Sequence, residues 1–306
     1  MKLSIVTPSH NSARFIRETI KSVLSQQGNF YIEYIIVDNL SADGTKEIIE
    51  EFQSLLKNQH SSFGCLGIEL IYLSGKDSGM YEAINKGFEQ ASGDIYAWIN
   101  SDDIYLPGAF SAIVKVFDSY EDVHWLKGVT SYMTNETSIW KAGKCLLYTQ
   151  DWINSGVYGR EHYFIQQDSV FWRAWLWKKS GGIDINYKLA GDYFLWIKFS
   201  EFAPLITVKA WVSCFRSVKG QLSSDISGYM NEVEKISPSK SNANILLKLF
   251  FRFEQKLPNF VKKVIFKVIF DKHKFSLVLI SSTGDIQRFM GKYYDVMSFV
   301  KSYDRK

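Results

Sequence analysis

An α/β fold, with a mostly parallel central sheet and helices on both faces, is what this sequence predicts, and three observations predict it. Strand-length runs rich in Ile, Val, Leu and Tyr recur through residues 1–100, amphipathic helical stretches fall between them, and acidic residues stand just past several of the runs. Strands that alternate with helices argue for parallel pairing through crossover connections.

Leu3 to Thr7 reads as a buried strand, and Ser12 to Gln26 as a helix with Phe15, Ile16, Ile20, Val23 and Leu24 inward. Tyr34 to Val37 is a second strand, Thr45 to Leu56 a helix that Asp43 can cap, and Glu69 to Leu73 a third strand. Met80 to Gln90 follows as a helix and Ile95 to Ile99 as a fourth strand. From Trp125 to Ser223, short strand-like pieces at Val129 to Met133, Ser138 to Lys141, Ser169 to Trp172 and Leu205 to Phe215 surround one helix, Gly191 to Phe202. They extend the same sheet in mixed directions.

Ser237 to Asn244 reads as a linker. After it, Ile245 to Phe275 sets Lys248, Arg252, Lys256, Lys262, Lys263, Lys267, Lys272 and Lys274 against Leu, Phe, Ile and Val, split by Pro258 into two amphipathic helices. The expected organisation is a domain over 1–236, with halves at about 1–105 and 106–236, and a basic helical extension over 237–306. Such an extension can lie on an anionic membrane surface, or pack its apolar face on the main domain or a second subunit, making a homo-oligomer. Both stay open.

A hydrophobic fraction of 46% and a charged fraction of 22% over 306 residues suffice for a full core. The net charge of +4 is too small by itself to imply a nucleic-acid partner. Cys65, Cys145 and Cys214 match no zinc or disulfide spacing, which fits a reducing cytoplasm. The run before Pro8 is too short for a signal peptide, and no stretch reaches the roughly 18–20 apolar residues that span a bilayer. A soluble protein, or one peripheral on the inner face of the cell membrane, is expected.

Asp102 and Asp103 follow Ile95 to Ile99 directly, where a divalent metal can hold a diphosphate. Side chains that alternate along a chain cannot both face one ion, so the pair suggests two separate tasks. Alone, it also reads as a solvated turn before Pro107 and Gly108. However, Asp38 and Asp77 also lie past strands, and ligands of parallel sheets bind at the carboxyl ends of the strands. Four acids should therefore converge on one crevice.

The ordered segments SIVTPSHNSARFIRETIKSVLSQ, VDNLSADGT, DSGMYEAINKG, ASGDIYAWINSDD, QQDSVFWR, GGID, AGDYFLWIKF and FRSVKGQLS resemble an inverting family 2 glycosyltransferase of the GT-A, Rossmann-like fold, of the type that assembles bacterial polysaccharides. The likeness runs from Met1 to about Ser224. It implies a nucleoside-diphosphate-sugar donor, UDP favoured, a glycan or lipid-linked glycan acceptor, and Mn²⁺ or Mg²⁺. It also implies roles. Pro8 and Ser9, with Thr7, would cradle the base; Asp38 would read it, the rival role being a loop cap. Asp77, Gly79, Asn85 and Lys86 match donor contacts, Lys86 also reading as a solvated helix residue.

Asp102 would contact ribose or sugar and Asp103 would bind the metal, while Ser101 stands where the family's acidic motif can carry a first Asp. Asp192 matches the base that deprotonates the acceptor, and a helix N-cap is its bland role. Arg216, in a late loop with Gly220, Gln221 and Ser223, would meet a phosphate or form a surface ion pair. Gln166, Gln167 and Asp168 would lie on the acceptor and sugar side, and Trp125, Lys127 and Gly128 would line it. Trp172, Trp175, Trp177 and Trp196 are sugar-stacking candidates, with most of them expected in the core. Asp184 and Asp43 read as turn and cap residues.

A second reading keeps the fold as a nucleotide-sugar-binding scaffold without chemistry, against which the acids at 38, 77, 102, 103 and 192 argue. A Rossmann oxidoreductase would need GxGxxG after the first strand, where this chain has TPSHNSARF.

Overall fold

The computed structural model describes residues 1–58, 63–154, 157–160, 164–218, 220–237, 258, 261, 264, 273–281, 283–293 and 295–296. Its first part is the expected series: β1 (Lys2–Ser9), α1 (Ile16–Leu24), β2 (Tyr31–Asp38), α2 (Thr45–Asn58), β3 (Gly67–Ser74), α3 (Met80–Gln90) and β4 (Ile95–Trp98). Then come β5 (Ile104–Tyr105), α4 (Ala109–Ser119), β6 (Trp125–Met133), β7 (Ile139–Lys141), α5 (Gln150–Asn154), α6 (Val157–Arg160), β8 (Val170–Arg173) and α7 (Ala174–Ser180). The last elements are α8 (Gly191–Phe202), β9 (Ile206–Arg216), α9 (Ile226–Ile236), β10 (Phe275–Ile280) and β11 (Ile286–Gly291).

One sheet runs β11-β10-β9-β6-β8-β4-β1-β2-β3, with β5 added to β9 and β7 to β6. The strands β1 to β4, β6, β9 and β10 point one way, whereas β8 and β11 run against them. β1 lies between β2 and β4 and is buried along almost its whole length, which suits a central strand covered on both faces. Its alternating side chains feed two cores. Leu3 and Ile5 pack with Ile16 and Ile20 of α1, Ile49 of α2 and Phe110 and Ile113 of α4. Val6 packs on the other face with Ile84 and Phe88 of α3, Leu176 of α7 and Leu195, Trp196 and Phe199 of α8.

Four fully buried tryptophans, Trp98, Trp125, Trp172 and Trp196, stitch the second core together. Trp196 stacks on Trp98 at 5.5 Å and on Trp125 at 5.8 Å. Trp172 and Trp196 are therefore core residues, as is Trp177, while half-exposed Trp175 sits against His124.

The expected helical extension needs a correction. Phe275–Ile280 and Ile286–Gly291 form a hairpin that carries the sheet on past β9, with Leu277 opposite Thr207. Leu277, Val278 and Leu279 are buried, so burial on both faces overrides the lysine-rich pattern beside them. Apart from isolated positions, the basic stretch over 245–272 lies outside the described residues. Among those described, no helix is long and apolar enough to cross a membrane.

Candidate active site

The chain reverses direction across the sheet at β1, which continues to β2 on one side and pairs with β4 on the other, and such switch points open a crevice at the strand ends. A cavity of about 1100 Å³ occupies that place. The end of β1 supplies Pro8 and Ser9, the β2 exit Asn39, the β3 exit Asp77 and Gly79, the β4 exit Asn100, Ser101 and Asp102, and the N-terminus of α8 Asp192. Five cavity-lining residues carry a buried polar atom without a partner: Ser9 Oγ, Asp77 Oδ2, Trp98 Nε1, Asn100 Oδ1 and Gln167 Oε1. Buried polar atoms are rarely left so, and their gathering around one cavity marks a place for a polar ligand.

At the β3 exit, Asp77 is fixed by its own turn. Its Oδ1 accepts from Gly79 N–H at 2.9 Å and its N–H donates to Asn39 Oδ1 at 3.1 Å. Burial pushes its carboxyl above the usual range. Gly79 has φ 144°, a conformation glycine alone adopts readily, and a Cβ there would meet nothing within 4 Å. The position therefore leaves the start of α3 open toward the cavity. Ser101 Oγ lies 2.7 Å from Ser12 Oγ and ties the β4 turn to the β1 exit.

The two adjacent acids separate. Asn100 to Asp103 is a turn, closed by Asp103 N–H to the Asn100 carbonyl at 3.2 Å, and it presents Asp102 to the cavity. Asp103 points away and is fully buried, its Oδ1 accepting from Arg216 N–H at 2.8 Å. Burial, with Asp102 and Asp168 nearby, holds its carboxyl well above the usual range. This corrects the expected division: Asp102, not Asp103, is the acid that faces the cavity.

Arg216 is corrected too. It is fully buried beneath the β4 turn, stacked on Phe15 at 4.5 Å. Its guanidinium donates to the Asp102 carbonyl at 2.7 Å, to Glu18 Oε2 at 2.5 Å, to the Asn135 carbonyl at 3.2 Å and to Thr137 Oγ1 at 3.1 Å. An arginine saturated this way braces the site and has no free fork for a phosphate.

Other expected contacts also lie off the cavity wall. Thr7 is buried with its hydroxyl 3.0 Å from Tyr34 Oη. Asp38 is buried as a loop cap, accepting from Ser41 N–H at 2.9 Å and Ser41 Oγ at 2.5 Å. Asn85 clips Ile183 by both its carbonyl, at 2.8 Å, and its N–H, at 3.1 Å. Lys86 pairs with Glu82 at 2.7 Å on the surface of α3 and donates to the Lys76 carbonyl at 2.9 Å. Gln166 and Gln167 do line the cavity, whereas Asp168 is buried behind it with Lys127 nearby. Trp125 donates to the Ala203 carbonyl at 2.8 Å and Lys127 to the Gly128 carbonyl at 3.0 Å, so neither reaches the acceptor side. Asp43 and Asp184 are the expected cap and turn residues: Asp43 Oδ1 accepts from Thr45 Oγ1 at 2.6 Å and Asp184 Oδ1 from Asn186 N–H at 2.9 Å.

At the far end of the cavity, Asp192 sits in the first turn of α8, its Oδ1 accepting from Tyr193 N–H at 2.7 Å. The side chain is half-buried and lines the cavity, and burial pushes its carboxyl up to about 7. Gly191 lets the helix start lie against Tyr81, whose ring atoms a Cβ would approach to 2.7 Å. Glu232 of α9 holds the same corner, its Oε2 accepting from Leu189 N–H at 2.9 Å and Ala190 N–H at 2.8 Å. An anionic group at a helix N-terminus is favourable, and here it holds the chain that leads into Asp192. The sequence offered no motif for Glu232, nor for Phe164, Ile226 and Tyr229, which wall this end. His10, Asn11, Asn39 and Asn100 were also missed, although each falls inside a recognised segment. His10 Nδ1 is 2.9 Å from the Asn39 carbonyl.

The model of the glycosyl transferase family 2 matches residues 4–178. Among curated relatives, an uncharacterized glycosyltransferase of Rickettsia typhi is 25% identical over 199 residues, 64% of this chain and 58% of that protein. The putative teichuronic acid biosynthesis glycosyltransferase TuaG of Bacillus subtilis is 36% identical over 101 residues, 33% of this chain and 36% of TuaG. The chain thus spans about three-fifths or less of the length of these relatives. Staphylococcus aureus TarS 1–349 in complex with UDP-GlcNAc superposes with a TM-score of 0.58 at 17% identity, covering 83% of this chain and 73% of that one. The mannosyltransferase PcManGT of Pyrobaculum calidifontis in complex with GDP-Man and Mn²⁺ gives 0.55 at 15% identity, over 84% of this chain and 70% of that one. These likenesses carry the fold. With more than half of its length matched by the family, this chain belongs to glycosyl transferase family 2.

Proposed function

We propose that the protein transfers a sugar, with inversion, from a nucleoside-diphosphate-sugar to a glycan hydroxyl in cell-surface polysaccharide synthesis, with UDP as the favoured nucleotide. The observation that carries the reading is one cavity walled by three carboxylates, Asp77 and Asp102 among polar strand exits and Asp192 in an enclosed helix start. A relative named as a putative teichuronic acid biosynthesis glycosyltransferase, and neighbours holding UDP-GlcNAc or GDP-Man, support it.

The residues at the β4 turn fit a divalent metal as a partial site. Among the described residues no group of three or more His, Cys, Asp and Glu side chains is arranged to hold an ion by itself. Asp102 offers a cavity-facing carboxylate and Asn100 an unpartnered amide oxygen, hard donors suited to Mg²⁺ or Mn²⁺ that leave other positions to diphosphate oxygens. Such an ion would neutralise charge developing on the departing nucleoside diphosphate. The open backbone at Gly79 and the turn of Asp77 receive the donor, and Ser9, His10 and Asn39 face its nucleoside. Asp192 then takes the proton from the acceptor hydroxyl as that oxygen attacks the anomeric carbon from the side opposite the leaving group. With its carboxyl pushed up to about 7, Asp192 is basic enough to accept that proton near neutrality and acidic enough to be ionised there.

A panel of UDP, dTDP and GDP sugars with glycan acceptors, read as released nucleotide with and without EDTA, tests the reading. Acceptor-dependent release that EDTA abolishes is expected. Turnover indifferent to EDTA would sink the metal assignment, and binding without release would favour the scaffold reading.

A further inference from the structure

We infer that Gln221 is a positioning residue that aims one oxygen of Asp102 at the divalent cation; this rests on the reading of Asp102 above. Gln221 Nε2 donates to Asp102 Oδ2 at 2.7 Å. The amide is itself fixed from two sides: Nε2 also donates to the Arg216 carbonyl at 2.7 Å, and Oε1 accepts from Val218 N–H at 2.9 Å. Below the turn, Arg216 Nε donates to the Asp102 backbone carbonyl at 2.7 Å. Main chain and side chain of Asp102 are thus each held by one charged or polar group anchored in the β9 exit. Rotation of the carboxylate about its own axis would break the bond to Gln221, which leaves Oδ1 as the oxygen free to meet an ion.

The choice of an amide matters chemically. A lysine or arginine at this distance would cancel the charge that attracts the cation, whereas glutamine orients the carboxylate and leaves its charge intact. Outer-shell partners of this kind fix ligand geometry, and their loss costs roughly 10–100-fold in metal affinity. The contact also ties the segment after β9 to the metal-facing acid, so that Ser217, Gln221 and Ser223 wall the cavity beside Asp102.

The test follows free Mn²⁺ by electron paramagnetic resonance as the ion is titrated into the full chain with UDP, GDP or dTDP, whichever binds most tightly. Gln221→Met and Gln221→Ala are compared with wild type and Asp102→Ala. Both Gln221 variants should bind Mn²⁺ about tenfold more weakly, with nucleotide affinity in EDTA and thermal midpoint unchanged. Unchanged or tighter Mn²⁺ binding by these variants, while Asp102→Ala weakens it, would overturn the role of Gln221 alone. Wild-type Mn²⁺ binding that Asp102→Ala does not touch would overturn the Asp102 reading, and this inference with it.

Discussion

The two ends of the cavity hold their carboxylates by different means. At the β1 to β4 exits, Asp102 is one of several polar groups, oriented by Gln221 and braced by Arg216, and most of its neighbours are themselves hydrogen-bonding residues. At the α8 end, Asp192 shares the cavity wall with Leu189, Phe164, Ile226 and Tyr229, and its carboxylate accepts from the backbone N–H of Tyr193. Enclosure disfavours the charged form at both, but at Asp192 little opposes it, which is why its carboxyl reaches about 7. An acid that must stay ionised beside a cation belongs in the first setting, and an acid that must gain and lose a proton belongs in the second.

The largest effect we expect from disturbing the donor end is on folding. Arg216→Ala strips the donor from the Asp102 and Asn135 carbonyls and empties a fully buried volume, so stability should drop by about 3–5 kcal/mol, read from the urea midpoint. A variant of normal stability that has lost only nucleotide affinity would return Arg216 to the phosphate role. Next, Asp102→Ala should weaken Mn²⁺-dependent nucleotide binding by at least the roughly 10–100-fold that outer partners cost, measured by calorimetry. A result in which Asp103→Ala folds normally and shows the loss instead would reverse the two acids.

A smaller and graded effect distinguishes the α8 end. Asp192 must be ionised to act, and its pKa is raised, so kcat/KM should fall as pH drops below about 7, by about tenfold per unit. Activity flat down to the ordinary carboxylate range would mean that enclosure does not set the base. Smallest of all, Lys86→Ala should leave nucleotide affinity unchanged and cost about 0.2–1 kcal/mol, because its pairing with Glu82 is on the surface. A clear affinity loss would bring Lys86 into the donor site.

How far the sequence could be read follows the same divide. Met80–Gln90 has the bounds its clean apolar period indicates, and Gly191–Phe202, apolar on nearly every side, has the bounds that its flanking residues indicate. α4 is less legible because Pro107 and Gly108 read as a turn, although Ser111, Lys115 and Asp118 do give the helix a polar face opposite buried Phe110, Ile113 and Phe117. β10 directly follows a lysine-rich stretch, and its place in the sheet is set by pairing with β9 about 70 residues earlier, given Leu277 opposite Thr207.

Within the site, the convergence of strand exits was legible, and the alternation argument separated Asp102 from Asp103. Which of the two faces the cavity was not legible, because it is decided by Arg216 N–H, far away in sequence. Thr7, Asp38 and Asn85 carry family-like motifs, yet their partners, Tyr34, Ser41 and Ile183, absorb them into the scaffold. Glu232 lies in a helix without any motif, and only the packing of α9 against α8 reveals it.

Asp192→Asn, assayed for nucleotide release and for donor affinity in the same preparation, tests the separation of the two carboxylates most directly. Release should fall about 10²–10⁴-fold while donor and Mn²⁺ affinity stay at wild-type values. Wild-type release by the variant, or a loss confined to donor affinity, would contradict it.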